Sequence, residues 1–273
     1  MQRTRFIIAG IAFIGAVVAQ DAPAQVAVQG DAVRQQRARP GDTYTGQFAV
    51  RNASPEPQEV KLYQTDYYTS ADGTVTFGEP GKLPRSNAQW VAIGPSRVVV
   101  PPNQTLNIPF TVTVPAGQPL SGSYWSLVMV EGVPRGSAES SSGPPPSRPG
   151  QMTFSTRTRY AVAIITDVPI DARRNAEFAA PTVVGAQDSA KVLQFDVKNT
   201  GNVAFHPIVS VELYAADGTH VKSLSAPREM SYPGTSLRHR FELGRLPRGR
   251  YRAIVTVDAG DDALFGAQYT LNF

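Results

Sequence analysis

The sequence predicts an all-β protein of two tandem β-sandwiches behind a cleaved leader. Three observations carry this. Apolar residues alternate with period two in almost every periodic stretch, and almost none follow the 3.6 period of a helix. Clusters of Gly, Pro, Asn and Asp cut the chain into many short strands, as in a sandwich or barrel. The same punctuation then appears twice in the same order. Val50-Arg51-Asn52, Ala71-Asp72-Gly73-Thr74 and Gly122-Ser123-Tyr124 are matched by Val197-Lys198-Asn199, Ala216-Asp217-Gly218-Thr219 and Gly249-Arg250-Tyr251.

Taken in order, the chain opens on a secretory signal. Arg3 and Arg5 give a positive start, residues 6–19 are unbroken small and apolar, and Ala22-Pro23-Ala24 is a small-x-small cleavage pattern. Cleavage is expected after Ala24, with Ala19 as the second choice. The apolar run is shorter than the roughly 20 residues of a bilayer span, so the mature protein is expected to begin near Gln25, in the periplasm or secreted. Tyr44, Gly46, Phe48 and Val50 alternate next. Leu106, Ile108, Phe110, Val112 and Val114 follow, with Pro109 on the outward set, where an edge or bulge tolerates it. A strand over 153–167 completes the first half. In the second half Leu193, Phe195 and Val197 alternate, then Val209, Val211 and Leu213, then Tyr251, Ala253, Val255 and Val257. Phe265, Ala267, Tyr269, Leu271 and Phe273 form the last strand.

Asp-Gly supplies the positive φ angles of a tight hairpin. A Tyr just after a turn resembles the tyrosine corner of immunoglobulin-like sandwiches, so both halves are expected to be immunoglobulin-like. The expected division is a signal peptide over 1–24, a first domain over 25–170 and a second over 171–273. Residues 132–150, with Ser-Ser-Ser-Gly-Pro-Pro-Pro at their centre, cannot bury apolar area and are expected to form a mobile loop within the first domain.

Composition excludes several classes of function. There is no cysteine, hence no disulfide, thiol nucleophile or thiolate metal site. Lys and Arg number 26 against 22 Asp and Glu, too weak a balance to argue for nucleic acid. His206, His220 and His239 stand at no metal-ligand spacing. No nucleophile elbow, phosphate loop or dinucleotide fingerprint is present. Asp258, Asp261 and Asp262 read either as a calcium loop or as a solvated hairpin turn. No catalytic residue, cofactor or metal is therefore expected, and the chain is not expected to be an enzyme.

Two features point to binding. Arg34, Arg37 and Arg39 lie at or near the first strand. Arg157 and Arg159 share one face of the 153–167 strand, with Phe154, Tyr160, Val162 and Ile164 on the other. Arg residues on adjacent strands clamp a carboxylate bidentately; the other reading is a solvated outward face. That strand also reads as an exposed edge, suited to strand addition by a partner, although any unprotected edge strand reads the same way.

The residues resemble a known family. Trp90-Val91-Ala92-Ile93-Gly94-Pro95-Ser96-Arg97, Val100-Pro101-Pro102-Asn103-Gln104 and Val112-Thr113-Val114-Pro115 are similar to the middle of the first domain of periplasmic pilus-assembly chaperones. The run from Ser123 to Pro134 resembles their sixth strand, and Thr158-Arg159-Tyr160-Ala161-Val162 their seventh. The resemblance spans about residues 33–169. It implies a chaperone-like binding protein that lends a strand to a pilus or surface-fibre subunit, with an usher as a further partner and the membrane reached only through partners. It also implies that basic residues in the cleft hold the subunit's terminal carboxylate. Thr156 and Thr158 depart from it, standing where the lent strand is usually apolar. Ala161 stands at the usual anchoring lysine, so Arg159 would take that role, helped by Arg157 and by Arg34 or Arg37. The layout is also similar to WxL-interacting two-sandwich surface proteins, which leaves a cell-surface or peptidoglycan-binding structural or adhesion module as the alternative.

Overall fold

A computed structural model describes residues 26–137, 139–141, 157–185 and 190–273. The expected leader therefore lies outside the described residues. The first sandwich uses β1 (Val26–Gln29), β2 (Val33–Arg37), β3 (Thr43–Asn52), β4 (Gln58–Thr69), β5 (Val75–Gly78), β6 (Val91–Ile93), β7 (Arg97–Val100), β8 (Thr105–Thr113), β9 (Gly122–Gly132) and β10 (Arg159–Val168). One sheet runs β1-β3-β8-β6. The facing sheet runs β2-β10-β9-β4-β5, with β7 also on β4. The second sandwich uses β11 (Ala176–Phe178), β12 (Thr182–Val184), β13 (Lys191–Asn199), β14 (Ile208–Ala215), β15 (His220–Ser225), β16 (Ser236–Gly244), β17 (Arg250–Asp258) and β18 (Leu264–Asn272). There β11 and β12 share one side of β13 and β16 takes the other, opposite a sheet ordered β15-β14-β17-β18. This is the all-β, two-sandwich architecture that the sequence predicts.

Period-two alternation is the cause. In β8, Ile108, Phe110 and Val112 are buried while Asn107 and Pro109 face out. Pro109 sits just past the end of β6, which pairs only with residues 110–112, so its missing N–H is tolerated there. Gly46 is required by close approach, because a Cβ would lie 2.3 Å from the Phe110 ring. The inward sets of both sheets form one core that includes Phe48, Leu62, Ile108, Val128, Val162 and Ile164. A second core, with Leu193, Phe195, Val211, Phe241 and Val255, lies wholly within the second sandwich. Each such side chain contributes about 1.5–3 kcal/mol on burial.

The repeated words form repeated structure. Asn52 and Asn199 each end a strand fully buried. Each donates its side-chain amide to carbonyls of two later loops, Asn52 to Glu56, Val100 and Pro101, and Asn199 to Val203 and Ser231. Each also accepts a loop N–H, from Ser54 and Gly201 respectively. Asp72 and Asp217 both accept the N–H two residues on at 2.9 Å, and Gly73 and Gly218 both have φ of 86°.

The sandwiches meet through an apolar cluster. Trp125, Leu127, Met129, Ala163 and Ile165, on the outer face of β9 and β10, pack with Ala204, Met230 and Tyr232 of the second sandwich. The Trp125 and Tyr232 rings stack at 4.8 Å. Polar bonds frame this contact. Ser123 N–H donates to Asn202 O at 2.7 Å, and Ala204 N–H donates to Ser123 Oγ at 2.7 Å. Tyr68 donates its hydroxyl to Gly234 O at 2.7 Å.

A buried carboxylate buttresses the first sandwich. Asp66 accepts the N–H groups of Gly81, Lys82 and Leu83 at 2.7–3.0 Å, and the Ser86 hydroxyl as well. The loop so held carries Arg85 and Asn87 onto the backbone of β9 and β10.

Candidate partner-binding edge

The strand expected over 153–167 begins at Arg159. Thr158 and Arg157 precede it and are exposed, and Phe154 and Thr156 lie outside the described residues. The strand is also less open than expected. β2 lies parallel to it and covers residues 163–167, in the register Ala163↔Val33 to Asp167↔Arg37. Residues 159–162 have no partner on that side among the described residues.

Backbone alternation shows what the open half presents. Ala163 N–H donates to Ala32 O at 2.8 Å, and Ala38 N–H donates to Asp167 O at 3.0 Å. Odd-numbered residues of β10 therefore direct their backbone groups to the β2 side and even-numbered ones to β9. Arg159 and Ala161 thus point N–H and C=O into the open edge. The side chains alternate too, Val162 and Ile164 joining the inner core and Ala163 and Ile165 the outer apolar face.

Arg157 and Arg159 converge on one acid. Glu131, opposite Arg159 on β9 and 5 % exposed, accepts Arg159 Nε at 2.9 Å and the Tyr63 hydroxyl at 3.1 Å. Arg157 reaches Glu131 at 3.4 Å and Glu139 at 3.2 Å. The hydrogen bond to Glu139 and its charge, with Glu131 behind, raise the Arg157 pKa above its ordinary value. Burial, then the bond to Glu131, pushes the Tyr63 hydroxyl up. Glu131 was legible as an acid in phase with Trp125, Leu127 and Met129; Tyr63 and Glu139 carried no signal.

The other two arginines stand apart. Arg34 lies opposite Ile164, five residues along β10 from Arg159, or about 16 Å at 3.3 Å per residue. Its Nε donates to Gln47 O at 3.0 Å. Arg37 lies opposite Asp167 and meets Asp261 of the second sandwich at 3.4 Å, where Arg174 also binds. The single clamp expected of Arg157, Arg159 and Arg34 or Arg37 is therefore split among three places, Arg157 with Arg159 on Glu131, Arg34 on Gln47 O and Arg37 on Asp261, because β2 pairs only with the far half of β10. In the Asp258 loop, Asp258 accepts Gly260 N–H at 2.9 Å while Asp261 takes the two arginines, so these acids are used in a turn and an ion pair. The described start of the 132–150 loop is held to the sheet, Arg97 donating to Glu139 O at 2.7 Å and Ser141 N–H to Glu59 at 3.0 Å. Residues 138 and 142–150, the rest of the expected mobile loop, lie outside the described residues.

Among the described residues, no group of three or more His, Asp or Glu could hold a metal ion. No protein-family model matches the chain, and no curated protein matches it. Among solved structures it is similar to the YadV chaperone, at 10% identity and TM-score 0.47, over 91% of this chain and 100% of that one. It is similar to the class 5 fimbriae chaperone CfaA at 14% identity and TM-score 0.46, over 90% and 98%. It is also similar to the Pseudomonas aeruginosa CupB2 chaperone at 15% identity and TM-score 0.42, over 90% and 100%.

Proposed function

We propose that the chain is an exported, chaperone-like binding protein that takes an extended segment of a pilus or surface-fibre subunit onto the open half of β10. It acts in the periplasm or outside the cell after loss of its leader, with an usher as a further partner and no chemistry of its own. The observation that carries this reading is the edge at residues 159–162, where Arg159 and Ala161 turn outward backbone groups that pair with nothing among the described residues, at the point where β2 stops. Main-chain bonds there supply affinity, and alternate side chains set register. An acidic group of the partner joins Arg159, whose side chain is half exposed, in place of Glu131.

Co-purification from the native periplasm identifies the subunit, and its affinity is then measured for three chains. Arg159→Ala is expected to weaken binding about ten- to a hundredfold, since a hydrogen bond to a charged group is worth roughly 1.5–3 kcal/mol. Ala161→Pro removes an outward N–H without touching the β9 ladder and is expected to abolish pairing with the fold intact. The pairing of both guanidiniums with Glu131 within the chain favours the second reading, a cell-surface or peptidoglycan-binding module. Wild-type affinity in both variants would leave that reading standing alone.

A further inference from the structure

We infer that β18 is a self-association edge, through which two copies of this chain join their second sandwiches into one continuous sheet. Two of the edge strands of the second sandwich, β16 and β18, are nine residues long. β16 is guarded in the way natural edges are, with Arg238, Arg240 and Glu242 facing out. On the opposite edge from β18, β15 carries Lys222 and its pairing is broken by a register shift. β18 has none of these devices. Leu264-Phe265-Gly266-Ala267-Gln268-Tyr269-Thr270-Leu271-Asn272 contains no charge and no proline, and its register against β17 is unbroken. Among the described residues its other side pairs with nothing.

The backbone phase suits pairing of the strand with itself. Gly249 and Phe273 exchange both of their N–H···O bonds, as do the residues of a hydrogen-bonded antiparallel pair. Alternation from there turns Leu264, Gly266, Gln268, Thr270 and Asn272 outward along the edge. An antiparallel pair with its twofold axis at Gln268 then sets Gln268 on Gln268, Gly266 on Thr270 and Leu264 on Asn272, each exchanging reciprocal backbone bonds. On the inner face small Ala267 meets large Tyr269, and Phe265 meets Leu271. Leu264, 66% exposed, becomes covered.

Charge agrees with that register. On β17, Asp258 stands beside Leu264 and Arg250 beside Asn272. Across the axis, the row that begins at Asp258 of one copy ends at Arg250 of the other, so opposite charges share both outer rows. The central row is Ile254-Gln268-Gln268-Ile254, without charge. A second copy of this chain is thus the partner of matching chemistry.

The test uses the mature full-length chain. Sedimentation velocity of the wild type is expected to show a concentration-dependent dimer. Gln268→Lys faces two like charges across the axis and is expected to weaken dimerisation about tenfold or more with an unchanged circular dichroism spectrum. Because the chain has no cysteine, Gln268→Cys places a lone thiol on the axis. A hydrogen-bonded pair there sets the Cα atoms about 5.5 Å apart, within the range a disulfide spans. Mild oxidation should yield covalent dimer, while Thr256→Cys, one strand inward, stays monomeric. A wild type that sediments as a monomer up to its solubility limit overturns the inference. So does a dimer that survives Gln268→Lys, or equal cross-linking of the two cysteine variants.

Discussion

In the first sandwich the penultimate strand β9 is buried on both faces along nearly its whole length, whereas its counterpart β17 in the second alternates buried residues with exposed or half-buried ones. Val128 and Val130 of β9 enter the core, and Trp125, Leu127 and Met129 enter the contact with Ala204, Met230 and Tyr232. On β17 only Tyr251, Ala253, Val255 and Val257 are inward, and the other face carries Arg250 and Arg252 to solvent. The same turn words therefore build two sandwiches with different surfaces. What separates them is whether the second face of the strand has something to cover it.

The sharpest way to break this contrast is to lift the second sandwich off that face. Gly122 has φ of 69°, and a Cβ there would lie 2.0 Å from Asn202 O across the contact. Gly122→Ala is expected to cost about 4 kcal/mol from left-handed strain and overpacking together. Urea unfolding gives the loss, and small-angle scattering the wider spacing of the sandwiches. A loss below about 1 kcal/mol would mean that the contact yields easily.

The next effect tests the likeness between the halves. We propose that residues 25–170 and 171–273 fold separately, since each principal core lies within one half. A fragment beginning near Ala172 is expected to melt cooperatively, followed by circular dichroism. Asn52→Ala in the whole chain and Asn199→Ala in that fragment are each expected to lose about 3 kcal/mol, because both leave loop carbonyls and N–H groups unpaired in the interior. Unequal losses would show that the repeated word does unequal work.

The third repeated word differs already. Tyr251 donates its hydroxyl to Pro247 O at 3.0 Å, a tyrosine corner. The Tyr124 hydroxyl only accepts from Ser121 N–H at 3.5 Å, and its ring lies 4.7 Å from Trp90. Tyr251→Phe is expected to lose about 1 kcal/mol, and Tyr124→Phe less than half of that, measured by denaturant midpoint.

The smallest effect is one of pH. All three histidines lie in the second half. His239 is buried beside Phe195, and burial lowers its pKa below the ordinary 6.5, with Asp196 opposing weakly. The unfolded chain thus takes up the proton first, so this contribution is present above about pH 6.5 and lost as pH falls below it. The Ala172 fragment is expected to lose stability from pH 7 to 5, with a shallower slope in His239→Phe. A first-half fragment contains no histidine and lacks this component.

Much of the fold was readable because alternation is a local signal. Ile108, Phe110 and Val112 announce their side of β8 without reference to any partner. The Asp-Gly words were readable for the same reason, since their bonds close within a few residues, and the Asn words close part of theirs locally, with Ser54 and Glu56 and with Gly201 and Val203. Tyr124 shows the limit, as a Gly-x-Tyr word like that of Tyr251 has its ring captured by distant Trp90. The site was less readable. That Arg157 and Arg159 share a face follows from spacing, but that Glu131 lies beneath them depends on the β9–β10 register. The separation of Arg34 and Arg37 from them depends on how far along β10 the parallel strand β2 is placed. Register between distant segments leaves no trace in either segment alone.

The parallel pairing of β2 with β10 also has a mechanical consequence. Tension between the N-terminal end of β2 and the C-terminal end of β10 pulls two parallel neighbours past each other along their length. The bonds between residues 33–37 and 163–167 then carry the load together. Hairpin partners such as β17 and β18, pulled apart from their open ends, would unzip with their bonds breaking in turn. Loaded between those two points, the β2–β10 pair resists in shear, and single-molecule pulling from residues 33 and 168 is expected to need more force than unzipping β17 from β18.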